Sequence, residues 1–417
     1  MRRALDYTRL PPPTVPLAFL LAAPWFGVAA GSVVAWHGAA VFASRWTGPA
    51  LAAVHLVTLG FLTMTMAGSL LQMLPAVAGL ALRGTSRLVA WSCPLLAAGA
   101  ALLAAAFLSG QARLFALGGG VLLAGFVALL TCLAPTLWQR TRAAAVVHIA
   151  GGMRAAVAAL LACVVAGLLL AGWLAGGPAV PVLPLVDTHA ALGLAGWVVP
   201  LVMAVSFQVI PMFQATDPFP PLAARLLVPL LLLALAGWIA GRWLDAPWRT
   251  VPALAGAAVV TVYAGLAAAL LLRRERTRTA AGTRYWLLSL AALAGAAWLF
   301  AWPGEAPAPL VGVCFLAGCA MSVVNGMLYR IVPFLVWHHL RARLPPDVAA
   351  PKFADLIAPG RLRVQCRWHA AAVAALLAAC VMPALASGAG LLLAVACLRL
   401  GLDLAAPVVR YHRSLAA

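Results

Sequence analysis

Long apolar runs alternate along the whole chain with short clusters of arginine, proline or glycine. Within each run the apolar residues continue around every helical face instead of recurring on one, as in helices surrounded by lipid and by one another. At 1.5 Å per residue, a helix needs about 20 residues to cross a bilayer. Twelve runs reach about that length, near residues 15–36, 49–74, 88–109, 114–136, 153–174, 185–212, 222–243, 250–272, 284–302, 309–336, 367–386 and 388–409. The pattern predicts an all-α polytopic membrane protein of about twelve transmembrane helices, with residues 1–417 forming a single integral membrane domain.

The second, sixth and tenth runs share more than hydrophobicity. They read HLVTLGFLTMTMAGSLLQMLPAVAG from His55, HAALGLAGWVVPLVMAVSFQVIPMFQ from His189 and LVGVCFLAGCAMSVVNGMLYRIVPFLVW from Leu310. Aligned on Pro75, Pro211 and Pro333, the residues Gly60, Gly196 and Gly318 coincide, and so do Gly68, Ala204 and Gly326. Gln72 and Gln208 also coincide, with Arg330 in the third copy. The shared residues are Gly, Gln and Pro, not the Leu and Ala that recur in any membrane helix. Three four-helix pseudo-repeats are expected, near 15–136, 153–272 and 284–409.

Composition agrees: 65% of the 417 residues are hydrophobic and only 9% charged. The net charge of +19 is carried by arginines that sit in alternate loops, which is topology information and not a nucleic-acid footprint. Arg83, Arg87, Arg140, Arg142, the cluster from Arg273 to Arg284 and the stretch from Arg341 to Arg367 all fall on one side. By the positive-inside rule both termini are expected in the cytoplasm of a bacterial-type inner membrane. The first run is long and lacks a small-residue break, so no cleavable signal is expected. The Pro- and Arg-rich loop 340–365 is expected to lie on the cytoplasmic membrane surface, held by anionic lipid. Eight scattered cysteines without a C-x-x-C pair indicate neither a disulfide framework nor a zinc knuckle.

Orientation makes the histidines informative. His55 and His189 fall in the outer thirds of their helices, and His37 ends the first helix on the same side. Neutral imidazole is the common ligand of haem iron, copper and zinc, and is otherwise uncommon in hydrocarbon. An interhelical hydrogen bond is the structural alternative. Asp187 or Thr188 is expected to cap the sixth helix, with a second role toward a histidine on another helix left open. Gln72, Gln208 and Arg330 form a second constellation, about 25 Å from His55 along the second helix, with Asn325 and Tyr329 as nearby polar groups. Methionines concentrate on the same three helices, where packing is the simpler role. Asp403 is expected to pair with Arg399, one turn earlier on the last helix.

Twelve helices in three repeats, with histidines in the outer parts of helices 2 and 6, resemble subunit I of the haem–copper oxidases and its NnrS-type membrane haem relatives. The resemblance implies a low-spin haem ligand at His55 and a copper ligand at His189. It is one of architecture, covering the whole chain. The paired histidines that the oxidases carry on helix 7 are missing from 222–243, and the outer part of helix 10 offers Cys314 and Cys319 in place of histidines. The expectation is therefore a membrane protein that binds haem or copper near its outer face through His55, His189 and, more remotely, His37. Its tasks would be electron transfer, metal handling or a nitric-oxide-related response, with a redox partner protein and the bilayer as partners and no nucleic acid. Proton-pumping oxygen reduction and enzymatic turnover are not expected. The alternative is a secondary transporter whose Gln72, Gln208 and Arg330 contact a small anionic substrate.

Overall fold

The computed structural model describes residues 12–76, 80, 82–83, 86–139, 147–274, 280–302, 307–341 and 356–416. Most of loop 340–365 lies outside these residues. Where the chain resumes, Leu356 is buried against Val336 and Leu340.

Among the described residues twelve helices are long and apolar enough to cross a membrane. They are α1 (Thr14–His37), α2 (Gly48–Pro75), α3 (Arg87–Ser109), α4 (Ala112–Leu137), α5 (Val147–Leu174), α6 (Val182–Gln214), α7 (Pro221–Trp243), α8 (Pro247–Arg273), α9 (Ala281–Ala301), α10 (Ala308–Arg341), α11 (Gly360–Val381) and α12 (Pro383–Val409). Every expected span is present. Several helices run past the apolar core: α11 begins at Gly360, so Arg361 and Gln365, expected in the loop, are helical. The α11–α12 break falls at Met382, just before Pro383, whose ring cannot continue the preceding helix.

Each helix packs against the next in sequence, and α12 returns to α1, so the chain closes on itself. Three helices lie innermost. The apolar windows of α2, α6 and α10 are 72%, 56% and 61% buried, against 33–50% for the other nine.

These inner helices share a backbone feature that hydropathy does not report. Each widens into a π-helix, at Leu56–Thr63, Leu192–Val198 and Cys314–Met321. Each π segment begins nineteen residues before the shared proline, Pro75, Pro211 or Pro333. Side-chain hydroxyls bond carbonyls beside two of the exits, Thr65 to Phe61 O at 2.8 Å and Ser322 to Ala317 O at 3.4 Å. Long π segments are rare, because the wider turn packs its own backbone less well. Here a glycine in each segment lets another helix come close. A Cβ on Gly60 would lie 2.2 Å from the Phe26 ring on α1; on Gly196 or Gly318 it would lie 2.9 Å from Ala159 on α5 or Ala292 on α9. The second shared small position repeats the contact. Gly68 meets Phe19 on α1, Ala204 meets Gly152 on α5, and Gly326 meets Tyr285 on α9. In the middle unit the glycine has moved to the partner helix, and the close approach is kept.

An apolar cavity of about 70 Å³ lies where α2, α6 and α10 meet, bordered also by Trp286 of α9. Its walls repeat: Thr65, Met66, Ser69 and Met73 of α2 have Leu201, Val202, Val205 and Val209 of α6 at equivalent positions, and Val323, Val324, Met327 and Ile331 of α10. All twelve line the cavity. Three methionines are therefore wall material, as expected of a flexible apolar side chain.

Adding a methyl at Gly60 forces the α1–α2 contact apart and is expected to cost about 1–3 kcal/mol. Gly120 has nothing within 4 Å of the added carbon. Thermal unfolding in detergent checks this: Gly60→Ala melts earlier than the parent, and Gly120→Ala melts at or slightly above it.

Candidate metal centre

The α2–α6 crossing brings His55 and His189 together. Their ring centroids are 6.2 Å apart and their planes differ by 13°. His55 is the last residue before the first π segment, and His189 stands three residues before the second. Each is at the end of its helix opposite the arginine-rich end.

Both rings are held by backbone carbonyls. His55 Nδ1 is 2.7 Å from Leu51 O and His189 Nδ1 is 2.9 Å from Cys163 O. A carbonyl only accepts, so each Nδ1 carries the proton and each Nε2 keeps its lone pair. No hydrogen bond to either Nε2 is present among the described residues. Phe107 of α3 lies against His55, ring centroids 4.9 Å apart. On the other side α5 presents Cys163, whose Sγ is 3.5 Å from His189 Nδ1 and 3.4 Å from His189 O. Gly167, one turn further along α5, makes room for the imidazole: a Cβ there would lie 2.8 Å from His189 Cε1.

The first turns of α6 are anchored electrostatically. Asp187 receives Arg45 at 2.8 Å and Arg242 at 2.6 Å, joining the α1–α2 connection and the end of α7 to α6. Trp243 Nε1 donates to Thr188 Oγ1 at 2.9 Å. Neither residue caps the helix as expected. The helix starts earlier, at Val182 directly after Pro181, and Pro184 falls in its first turn. A proline is tolerated there, because the N–H it lacks would have no partner within the helix. Asp187 and Thr188 therefore lie inside α6 and are free for tertiary contacts.

The remaining expected residues separate. His37 ends α1, half-buried, with no hydrogen bond or ring contact to the pair among the described residues. Gln72, Gln208 and Arg330 hold equivalent positions on α2, α6 and α10, but no hydrogen bond joins them among the described residues. Gln72 is buried with both amide atoms unpaired, and Arg330 Nε is likewise buried and unpaired. Asn325 and Tyr329 turn away to α11 and α12, where Asn325 meets His369 and Tyr329 donates to Asp403. Asp403 is not mainly the partner of Arg399, which stands 4.0 Å away; Tyr329 at 2.6 Å and Arg361 at 3.1 Å are nearer, because α11 begins early enough to bring Arg361 alongside. Sequence reading missed Cys163 and Gly167, whose i,i+4 spacing is a faint signal among so many small residues, and passed over His369, which is wholly buried.

No family model matches the chain, and no curated protein matches it significantly.

The Asp187 carboxylate is largely shielded from water and holds two cations, so Asp187→Ala leaves both without that partner and is expected to cost about 1–3 kcal/mol. Thermal unfolding of that variant and of Arg242→Ala should show both lowered. Their double variant should lose less than the sum, as expected of partners in one network.

Proposed function

We propose that this polytopic membrane protein holds haem iron or a copper ion between His55 and His189, near the outer face of a bacterial-type inner membrane with both termini in the cytoplasm. The observation that carries the reading is the convergence of the two imidazoles with both Nε2 atoms available. With metal–nitrogen bonds of about 2 Å and about 1 Å from nitrogen to ring centre, two imidazoles on opposite sides of one ion stand about 6 Å apart, centre to centre. The observed 6.2 Å fits that spacing. The Leu51 and Cys163 carbonyls are the groups that orient metal-ligating histidines elsewhere, fixing the tautomer and raising the basicity of Nε2.

The bound metal would supply one-electron chemistry. The chain's own residues aim the ligands, clear space for His189 at Gly167 and pack Phe107 against His55. This suits electron transfer with a redox partner protein, metal handling or a nitric-oxide-related response. Oxygen reduction by the oxidase pattern is not part of the reading, since α7 carries no histidine and the outer part of α10 carries Cys314 and Cys319.

A second reading, transport of a small anion, is favoured by the unpaired buried amide of Gln72 and the unpaired Nε of Arg330.

A reduced-minus-oxidised absorption spectrum of the purified protein, with iron and copper measured on the same sample, tests the proposal. A Soret band or one copper per chain is expected, lost in both His55→Ala and His189→Ala. A folded, colourless and metal-free protein sinks it and moves attention to substrate uptake in Arg330→Ala.

A further inference from the structure

The last four helices, α9 to α12, carry chemistry that the His55–His189 pair does not use. On α11, Arg361, Gln365 and His369 are spaced i, i+4, i+8 and form one stripe. On α10, Tyr329, Asn325 and Ser322 form another. The two stripes meet. At the arginine-rich end, Tyr329 and Arg361 both bind Asp403 of α12. At the deep end, His369 Nε2 is 2.8 Å from Ser322 Oγ and Nδ1 is 3.1 Å from Asn325 Nδ2. The stretch from Arg361 to His369 spans about 12 Å along the helix. Exposure falls along the way, from 49% for the Arg361 side chain to 0% for Gln365 and His369.

Polar atoms without partners gather on the same stripes. Gln365 Oε1, Asn325 Oδ1 and, from α9, Tyr285 Oη are buried and unpaired, and the Tyr285 ring lies 5.8 Å from that of His369. Each such atom costs about 1–3 kcal/mol unless something bonds to it. Acceptors, hydroxyls and an amide lining one descent are what ordered water takes, two to four partners at a time.

We propose that this ladder is a hydrated path through which His369 exchanges protons with the arginine-rich side of the membrane. Histidine is the side chain that gains and loses a proton near neutral pH. Asn325 accommodates both states. With its NH2 toward the ring it donates to an unprotonated Nδ1; turned by half a rotation, the now unpaired Oδ1 accepts from a protonated one. Nε2–H donates to Ser322 Oγ, whose own proton goes to Ala317 O inside the third π segment. The other titratable or charged groups facing this region are Tyr285 and Arg284 of α9, Cys319 and Tyr329 of α10, Cys366 of α11, and Cys397, Arg399 and Asp403 of α12. Asp403 is already neutralised by Arg361, so it does not hold the proton on His369. The path lies on α9–α12 and the metal pair on α2 and α6, so neither needs the other.

Hydroxyl-radical labelling of the unaltered protein, in detergent and read by mass spectrometry, tests hydration directly. Radicals form from bound water and mark the side chains it touches. Tyr263 is the internal control: it is as buried as Tyr285, but its hydroxyl is bonded to Ser206 at 2.9 Å. Tyr285 and His369 are expected to label at least tenfold faster than Tyr263. Labelling of Tyr285 and His369 no faster than Tyr263 overturns the path. Infrared difference spectra of isotope-labelled histidine between pH 3 and 8.5 test the proton. One titrating component is expected to vanish in His369→Gln and to shift in Asn325→Leu. A titration unchanged in both variants overturns proton exchange, and Asn325→Leu, which removes the amide from the ring, decides alone if His369→Gln does not fold.

Discussion

In hydrocarbon there is no water to satisfy a polar atom, so every donor and acceptor inside the membrane has to be met by the protein itself. That constraint organises this molecule. Helical geometry answers it for most of the backbone. The three π segments of α2, α6 and α10 strain the same answer, and beside two of their exits a Thr or Ser hydroxyl bonds a nearby carbonyl. The histidines obey it too: both Nδ1 atoms of the His55–His189 pair are on carbonyls, which is why both Nε2 atoms are left for a ligand. Where the constraint is visibly unmet, at Gln72, Tyr285, Asn325 and Gln365, there is reason to look for a substrate, an ion or water.

One helix frame serves three purposes. The shared glycine and proline positions give each unit the same close contact between its first and second helices, and the same four positions face the central cavity. Outside those positions the units diverge. The first two place a histidine near the start of their π segments; the third begins its π segment with Cys314 and puts its polar residues on the opposite half, facing α11 and α12. Close packing holds the frame constant, because a methyl group at Gly60 is already too much, whereas polar chemistry on other faces is free to differ.

Much of the fold was legible in the sequence because its signals are local. Hydropathy over a window of helical length located all twelve spans, and shared Gly, Gln and Pro positions at fixed spacing singled out as repeats the three helices that lie innermost. The π segments were not legible: an extra residue per turn leaves no mark in an unbroken apolar run. At the candidate site, residue type alone singled out His55 and His189, since imidazole is uncommon in hydrocarbon. Their 6.2 Å approach depends on how α2 crosses α6, a tertiary fact. Cys163 and Gly167 were invisible because small residues on α5 are the rule, and their meaning comes only from the ring that they face.

His369 shows the opposite error. At the start of its apolar run, beside an arginine-rich loop, it drew no attention, yet α11 starts early enough to carry it a further two turns into the bundle. Once it is inside, its neighbours stop being a set of weak signals. Arg361, Gln365 and His369 repeat at the spacing of one helical face, and a buried face that alternates a charge, an amide and an imidazole is costly unless it does something. An embedded Asp or Glu is the usual sign of a proton path, and Asp403, the acid of this unit among the described residues, is paired and so gives no such sign. A paired acid at the mouth and a histidine at the depth divide the roles differently: Asp403 makes the entrance polar without trapping a cation, and the group able to change charge stands where no fixed charge competes with it.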